Sequence, residues 1–237
     1  PYRFLVDDRY IDFIGTVPAV TTGTGQNYIV LSFATKAQRQ IAVELQQGQG
    51  LRRVQIHNAD DFGPRPAASA FRGICLGDSI TASVGATHLG DGYVAVAADA
   101  MGIGDFWASG VGATGYVNTA SDTRYRLAQR LALDLDRARI ASSIDLIVVA
   151  MGINDLGMAG TEAEARVCFD LIRQKCPEAL VFVVGPWDSY VPSAGPATYA
   201  EVKTAILKAI GKRSGFWFID AQGIDYSKSD AVHPDTS

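Results

Sequence analysis

The sequence predicts an α/β fold whose parallel sheet is covered on both faces, preceded by a small β-rich module. Three observations carry this reading. From residue 73 onward, short and almost wholly apolar runs recur, such as 146–151 (LIVVAM), 180–185 (LVFVVG) and 216–219 (FWFI). Longer segments with apolar residues at helical spacing separate them. Strands buried on both faces read as continuous apolar runs, and strands that alternate with helices build parallel sheets. The first seventy residues differ: short branched and aromatic runs alternate with Thr/Gly and Gln/Gly stretches, the pattern of strands joined by turns.

Within that opening module, residues 28–33 (YIVLSF), 40–45 (QIAVEL) and 53–56 (RVQI) are the expected strands. The module is read as β-sandwich-like over residues 1–65, and 62–68 (FGPRPAA), with two prolines, as its connector. The α/β domain is expected over 66–237. Its first strand is 74–76, ending in Gly77-Asp78-Ser79. Residues 93–101 read as helix and 105–109 as the second strand. Residues 124–137 form a helix with Leu127, Leu131 and Leu135 on one stripe. After the strand at 146–151, Thr161 followed by Glu164 predicts a capping box that opens a helix. Val167, Cys168, Leu171 and Ile172 are its expected apolar face. Strand 180–185, a helix marked by Val202, Ala205, Ile206, Ala209 and Ile210, and strand 216–219 complete the series.

With 48% hydrophobic and 19% charged residues, the chain can bury a substantial core and is not a disordered segment. Its net charge of −4 and the lack of a dense Lys/Arg cluster argue against nucleic acid as a partner. No apolar run approaches the ~20 residues of a membrane span. The chain opens at Pro1 and closes at Ser237 without a final helix, so further sequence is expected at its ends. An extracytoplasmic location is favoured. Cys168 and Cys176 are eight residues apart along one expected helix, about 12 Å by helical rise, beyond disulfide reach. With Cys75 in an apolar run, all three read as buried thiols, with no disulfide framework and no zinc site.

Ligands of open parallel sheets bind beyond the carboxyl ends of the strands. Those ends carry Ser79, then the glycine-rich run 110–115 (GVGATG), then Gly152-Ile153-Asn154-Asp155, and finally Asp230-Ala231-Val232-His233-Pro234. A serine hydroxyl is a weak nucleophile until a base takes its proton. Of three histidines, only His233 follows a final strand with a carboxylate, Asp230, three residues upstream. That pair can face across one turn, with the carboxylate holding Nδ1–H and Nε2 left for Ser79. The backbone N–H groups of Ser79 and Gly112 and the Asn154 amide are candidate donors to an oxyanion. Taken singly, each feature also has a structural reading: Ser79 as an N-cap, Asn154 as a turn residue, 230–234 as an ordinary loop. His57 and His88 read as exposed or structural. Asp78 is assigned structural hydrogen bonding, and Asp155 support of the loop that carries Asn154. Trp187, Tyr190 and Tyr116 are candidate substrate-lining aromatics.

These blocks resemble those of the SGNH (GDSL-type) hydrolases, in family order from residue 77 to 234. Gly77-Asp78-Ser79-Ile80-Thr81 is similar to the first block, Gly112 within GATGY to the second, Gly152-Ile153-Asn154-Asp155 to the third and Asp230–Pro234 to the fifth. The resemblance implies a flavodoxin-like three-layer α/β/α sandwich and ester hydrolysis through an acyl-enzyme. Ser79 would be nucleophile, His233 base and Asp230 its orienter. Gly112 and Asn154 would complete the oxyanion hole, with no metal and no organic cofactor. The chain departs from the pattern at Ala113, where close relatives carry a second glycine. A β module ahead of such a domain resembles the layout of carbohydrate O-acetyl esterases, so an acylated carbohydrate or another small ester is the expected partner. Two alternatives stand beside this: a lipase or thioesterase acting on longer acyl chains, and a non-catalytic carbohydrate-binding protein.

Overall fold

The computed structural model describes residues 2–7, 9–11, 29–45, 56–57, 59–61, 71–87, 89–121, 124–138, 143–187, 196–224, 226–230 and 232–235. The chain divides into two compact units, 1–66 with 88–90 and 67–87 with 91–237. Among the described residues, no helix is long and apolar enough to cross a membrane.

The first unit holds an antiparallel sheet of β1 (Tyr2–Val6), β2 (Arg9–Tyr10) and β3 (Ile41–Leu45) in the order β2-β1-β3. β1 and β3 pair from Tyr2 with Leu45 to Val6 with Ile41. Phe4 and Val6 point to the buried face, the period of two that a half-buried strand requires. β3 lies where the 40–45 run was expected. The 28–33 run does not form a strand over its described part, 29–33. Val30 and Phe33 are exposed there, and Arg39 lies over the Phe33 ring at 4.6 Å. Branched residues favour extended backbone, but a strand exists only where a partner ladder is available. Residues 53–55 of the third expected strand lie outside the described residues, and Ile56 is unpaired coil. β1 and β2 were not anticipated, although Phe4, Leu5 and Val6 form a short apolar run rich in strand-forming residues.

The second unit is built on a five-stranded parallel sheet in the order β5-β4-β6-β7-β8. Its strands are β4 (Arg72–Gly77), β5 (Asp105–Gly110), β6 (Leu146–Ala150), β7 (Leu180–Val184) and β8 (Phe216–Ile219). The helices are α1 (Tyr93–Met101), α2 (Leu127–Ala138), α3 (Thr161–Lys175) and α4 (Pro196–Ile210). This is the expected α/β class and the flavodoxin-like strand order. The chain first steps from β4 to β5, then recrosses to β6 on the other side of β4. That reversal opens a crevice beyond the carboxyl end of β4, and the loops after β4, β5 and β6 border it.

The main core lies where α2, α3 and α4 cover one face. Leu127, Leu131 and Leu135 are fully buried on it, as their stripe predicts. On the opposite face Val94 of α1 packs with Cys75, Ala150 and Val184. Cys75, Cys168 and Cys176 are buried free thiols. Burial pushes the Cys75 thiol up to about 11 and that of Cys168 to about 12.

Two expectations for α3 are corrected. Thr161 is its first helical residue, not its cap; Gly160 caps it with a left-handed backbone and no side-chain bond. Glu164 therefore falls one position too late to reach back, and pairs instead with Arg126 at 3.0 Å. The buried face is Ala165, Cys168, Phe169 and Ile172, while Val167 is 53% exposed. Phe169 fills the space between Tyr116, 6.0 Å away centroid to centroid, and Phe216, at 5.4 Å. Phe169→Ala is therefore expected to cost about 3–5 kcal/mol of unfolding free energy. Val167→Ala should stay within about 0.5 kcal/mol of wild type. Denaturant titration of both variants checks the pair; equal effects would mean the helix is rotated from this register.

Candidate active site

Immediately after β4 the chain turns tightly, with Ala82, Ser83 and Val84 N–H groups bonded to the carbonyls of Asp78, Ile80 and Ser79. Ser79 sits partly exposed on this turn, above a base of buried side chains. Tyr93 of α1 bonds Thr81 Oγ1 at 2.7 Å and contacts Cys75 Sγ at 3.1 Å, pinning the turn to the sheet. On the other face Arg130 of α2, itself buried, donates to Gly77 O at 2.6 Å and Ser109 O at 3.2 Å, and pairs with Asp134. One guanidinium thus ties the ends of β4 and β5 together, as Arg's fork of donors permits.

His233 comes from the loop after β8. That loop is closed by a bridge between Lys228 and Pro234 and by a bond from Ser229 N–H to His233 O. Asp230 folds it: Oδ1 accepts the backbone N–H groups of Val232 (2.7 Å) and His233 (2.8 Å). Its Oδ2 lies 2.7 Å from His233 Nδ1. The opposite ring nitrogen, Nε2, lies 2.8 Å from Ser79 Oγ. The hydrogen bond to His233, then those from the backbone, pull the Asp230 carboxyl down to about 2. An ionised carboxylate only accepts, so Nδ1 carries the ring proton and Nε2 is left to accept from the serine hydroxyl. The close approach needs Gly85: a side-chain carbon there would stand 2.8 Å from His233 Cβ.

The loop after β5 runs past Ser79. A side-chain carbon at Gly112 would lie 3.7 Å from Ser79 Cβ and 3.5 Å from Arg124 Nη1. Arg124 donates to Gly112 O at 2.7 Å. The N–H groups of Ser79 and Gly112 have no acceptor among the described residues. Asn154, on the short helix after β6, donates one amide hydrogen to Thr114 O at 3.0 Å, and its own carbonyl accepts from Asn118. The second amide hydrogen finds no acceptor among the described residues. Asp155 fixes this whole arrangement. Buried, it accepts the N–H groups of Tyr116, Val117 and Asn118 at 2.8–3.0 Å. Gly115 makes room for it, since a side-chain carbon there would come within 2.1 Å of the carboxylate. Asp155 thus holds the second loop directly, rather than only the turn that carries Asn154. Ala113 takes a left-handed backbone, φ 61°. A glycine would adopt that conformation without the cost of about 1 kcal/mol that a Cβ brings, which explains the departure in physical terms: the loop keeps its shape under mild strain.

The structure brings Ser79, His233 and Asp230 into one hydrogen-bonded row, and places Gly112 and Asn154 on the loops beside it. Tyr116 is corrected. It is 0% exposed, packs edge-on against Phe169, and belongs to the core rather than to a substrate surface. Trp187 is half-buried, its ring edge-on to Tyr93 (5.3 Å) and Tyr226 (6.2 Å), and it packs with Ile80 and Val232 under the histidine loop. Tyr190 and His88 lie outside the described residues; His57 is exposed, with Nδ1 accepting the Ala59 N–H. Arg124 and Arg130 were missed. For Arg130 a signal existed, a charge one residue from Leu131 within an otherwise apolar stripe. Arg124 carried none.

The GDSL-like Lipase/Acylhydrolase family profile matches residues 75–237. The chain belongs to that family. It is accordingly an ester hydrolase of the SGNH type. Its fold is shared with a carbohydrate esterase family 2 enzyme with a carbohydrate-binding domain from Corynascus thermopiles (Myceliophthora fergusii). That match is 20% identical at TM-score 0.66 and covers 99% of this chain and 81% of the other. A family two carbohydrate esterase from Clostridium thermocellum, solved with cellohexaose, matches at 13% identity and TM-score 0.67, covering 99% and 80%. The carbohydrate acetylesterase Est24 from Sinorhizobium meliloti matches at 17% identity and TM-score 0.54, covering 70% and 91%. Among curated proteins, none matches the sequence.

Asp78, the family's acidic neighbour of the serine, is wholly buried. Oδ1 accepts the Ile80 N–H at 2.9 Å, and Oδ2 has no partner among the described residues. Burial raises this carboxyl from its ordinary 3.8 to about 7, against the opposing Ile80 bond and the His233 charge. The folded state thus holds a proton that the unfolded chain releases, and stability falls as pH rises between those two values. Asp78→Asn keeps the Ile80 acceptor and removes the titration. Its thermal midpoint relative to wild type should rise from about pH 4 to about pH 7, on the order of a few kcal/mol of stability. Parallel curves for the two proteins would show that Asp78 is ionised in the fold.

Proposed function

We propose that this chain is a serine esterase that removes O-acetyl groups from a carbohydrate, with Ser79 as nucleophile, His233 as general base and Asp230 as the group that orients the imidazole. The observation that carries this reading is the unbroken row from Ser79 Oγ through both nitrogens of His233 to the Asp230 carboxylate. As Oγ bonds to the ester carbonyl carbon, its proton passes to Nε2, and the imidazolium that forms faces an ionised carboxylate. The carbonyl oxygen becomes an oxyanion. The N–H groups of Ser79 and Gly112 and the free amide hydrogen of Asn154 are the donors assigned to it. Such a donor contributes about 3–4 kcal/mol when it meets the charge in the transition state. The bond to the sugar oxygen then breaks, and Nε2 returns the proton to the departing alcohol. Water, deprotonated by the same nitrogen, attacks the acetyl-Ser79, releases acetate and restores the hydroxyl.

Two features support a short acyl group on a sugar. The groups shown nearest Ser79, namely Gly112 with Arg124 anchored on it and His233, are small or polar, whereas a fatty chain calls for an extended apolar lining. The two carbohydrate esterase family 2 structures share the fold over nearly the whole chain and support a carbohydrate as the acyl carrier.

Ser79→Ala should lower turnover of p-nitrophenyl acetate by about three to six orders of magnitude, because only oxyanion and binding contributions remain. Its thermal midpoint should stay close to wild type, since the hydroxyl is partly exposed. A variant with near-normal turnover removes Ser79 from the role. On acetyl, butyryl and octanoyl esters of one aryl alcohol, kcat/KM should fall with chain length. An octanoyl optimum would replace the deacetylase reading with the lipase one.

A further inference from the structure

Arg124 is the one guanidinium among the described residues that stands at the nucleophile. The position a Gly112 side-chain carbon would take is within van der Waals contact of both Arg124 Nη1 and Ser79 Cβ, at 3.5 and 3.7 Å. Arg124 is exposed, yet it is not loose, because Nη1 is anchored on Gly112 O. That bond uses one of the five donors a guanidinium carries. No carboxylate among the described residues pairs with it. The other arginines near this edge differ: Arg126 is matched by Glu164 and Arg130 by Asp134. The acidic groups of the site are engaged elsewhere, Asp230 on His233 and Asp155 on three backbone N–H groups. Among the described residues, then, no anion neutralises this cation at Gly112, in a chain of net charge −4. The next residue, Tyr125, is 59% exposed, a large aromatic surface next to that charge in the chain.

We propose that Arg124 is a specificity residue that receives the carboxylate of an acidic sugar, so that the substrates of this site are acetyl esters of uronic-acid-containing carbohydrates. This rests on the esterase reading above and names its substrate class. A guanidinium offers parallel N–H donors that match a carboxylate, a fit a neutral hydroxymethyl group does not have. Because Arg124 Nη1 and Ser79 Cβ both border the space a Gly112 side chain would fill, a sugar whose acetyl carbonyl is presented to Ser79 can pass over the glycine with its carboxylate toward the guanidinium. The absence of a side chain at Gly112 leaves that path open.

The test uses the full chain and two matched probes, a methyl glucuronoside and a methyl glucoside acetylated at the same hydroxyl, with released acetate as the readout. Wild type should favour the glucuronoside in kcat/KM by about three- to tenfold, the range of an exposed but anchored ion pair. The preference should shrink as salt is raised. Arg124→Gln should bring the ratio of the two kcat/KM values to about one, and Arg124→Glu should invert it. Arg124→Lys should retain part of it, having the charge without the fork. The ratio separates recognition from support of the Gly112 loop, because a loop that shifts lowers both substrates together. Activity on both probes with an equal ratio in wild type and all three variants overturns this proposal and leaves the esterase reading intact. No acetate released from either probe or from p-nitrophenyl acetate overturns both.

Discussion

Ser79 and His233 are separated by 154 positions in the chain, and their side chains meet at 2.8 Å. Much of the second unit can be understood as what that contact demands. Ser79 rides on the turn that leaves the central strand β4, where the reversal of winding leaves the sheet end uncovered. The histidine arrives from beyond β8, three strands away in the sheet, so it must be carried by a loop that crosses the edge. A free loop of that kind would hold its imidazole poorly. Here Asp230 folds the loop with one carboxylate oxygen and holds the ring with the other. The residue that sets the tautomer therefore also sets the backbone that delivers the ring. Gly85 completes the fit from the serine side, since only a residue without a side chain lets the two loops close to this distance.

Two buried carboxylates flank the row and are treated differently by the fold. Asp155 is surrounded by three N–H donors, which offset the cost of burial and organise the loop after β5 around a single acceptor. Burial still raises its carboxyl, with those bonds acting in opposition. Asp78 has one backbone donor and a bare oxygen, and burial dominates. A charge there, next to the serine, would work against the negative charge that develops on the substrate oxygen. Burial, by pushing this carboxyl up to about 7, avoids that conflict below that pH. The electrostatics of the site then reduce to an ionised Asp230 behind the imidazole and hydrogen-bond donors on the oxyanion side.

Much of this arrangement was legible in the sequence. The apolar runs located β4, β6, β7 and β8, most clearly the inner β4 and β6, whose burial leaves no polar period; β5, an edge strand with Trp107 exposed, has no such run. Ser79, Asn154 and His233 could be placed because a parallel sheet collects its strand ends at one edge. Legibility failed where a residue's partner is distant. Tyr116 lies beside the glycine-rich loop in the chain, yet Phe169 and the core take its ring. Thr161 and Glu164 fit the capping pattern, but the helix starts one residue earlier than that pattern needs. The 28–33 run has strand-forming residues and no ladder over its described part. Each of these outcomes depends on a neighbour far away in sequence, which local pattern does not encode.

The same logic separates the two arginines next to the oxyanion loop. Arg130 is buried, so its charge must be matched inside the protein, and Asp134 and the carbonyls of Gly77 and Ser109 supply the match. Its contribution is rigidity, since it fixes two strand ends on which the serine and Gly112 depend. Arg124 is exposed and water satisfies whatever the protein does not, so no internal anion is required. Its anchoring to Gly112 O is then informative. An exposed arginine held on the loop next to Ser79, with no carboxylate partner among the described residues, has its donors oriented before any ligand arrives. The entropy that a flexible side chain would lose on binding is reduced in advance. Rigidity at Arg130 and preorganisation at Arg124 act on the same short loop from opposite sides, one holding its base and the other its outer edge.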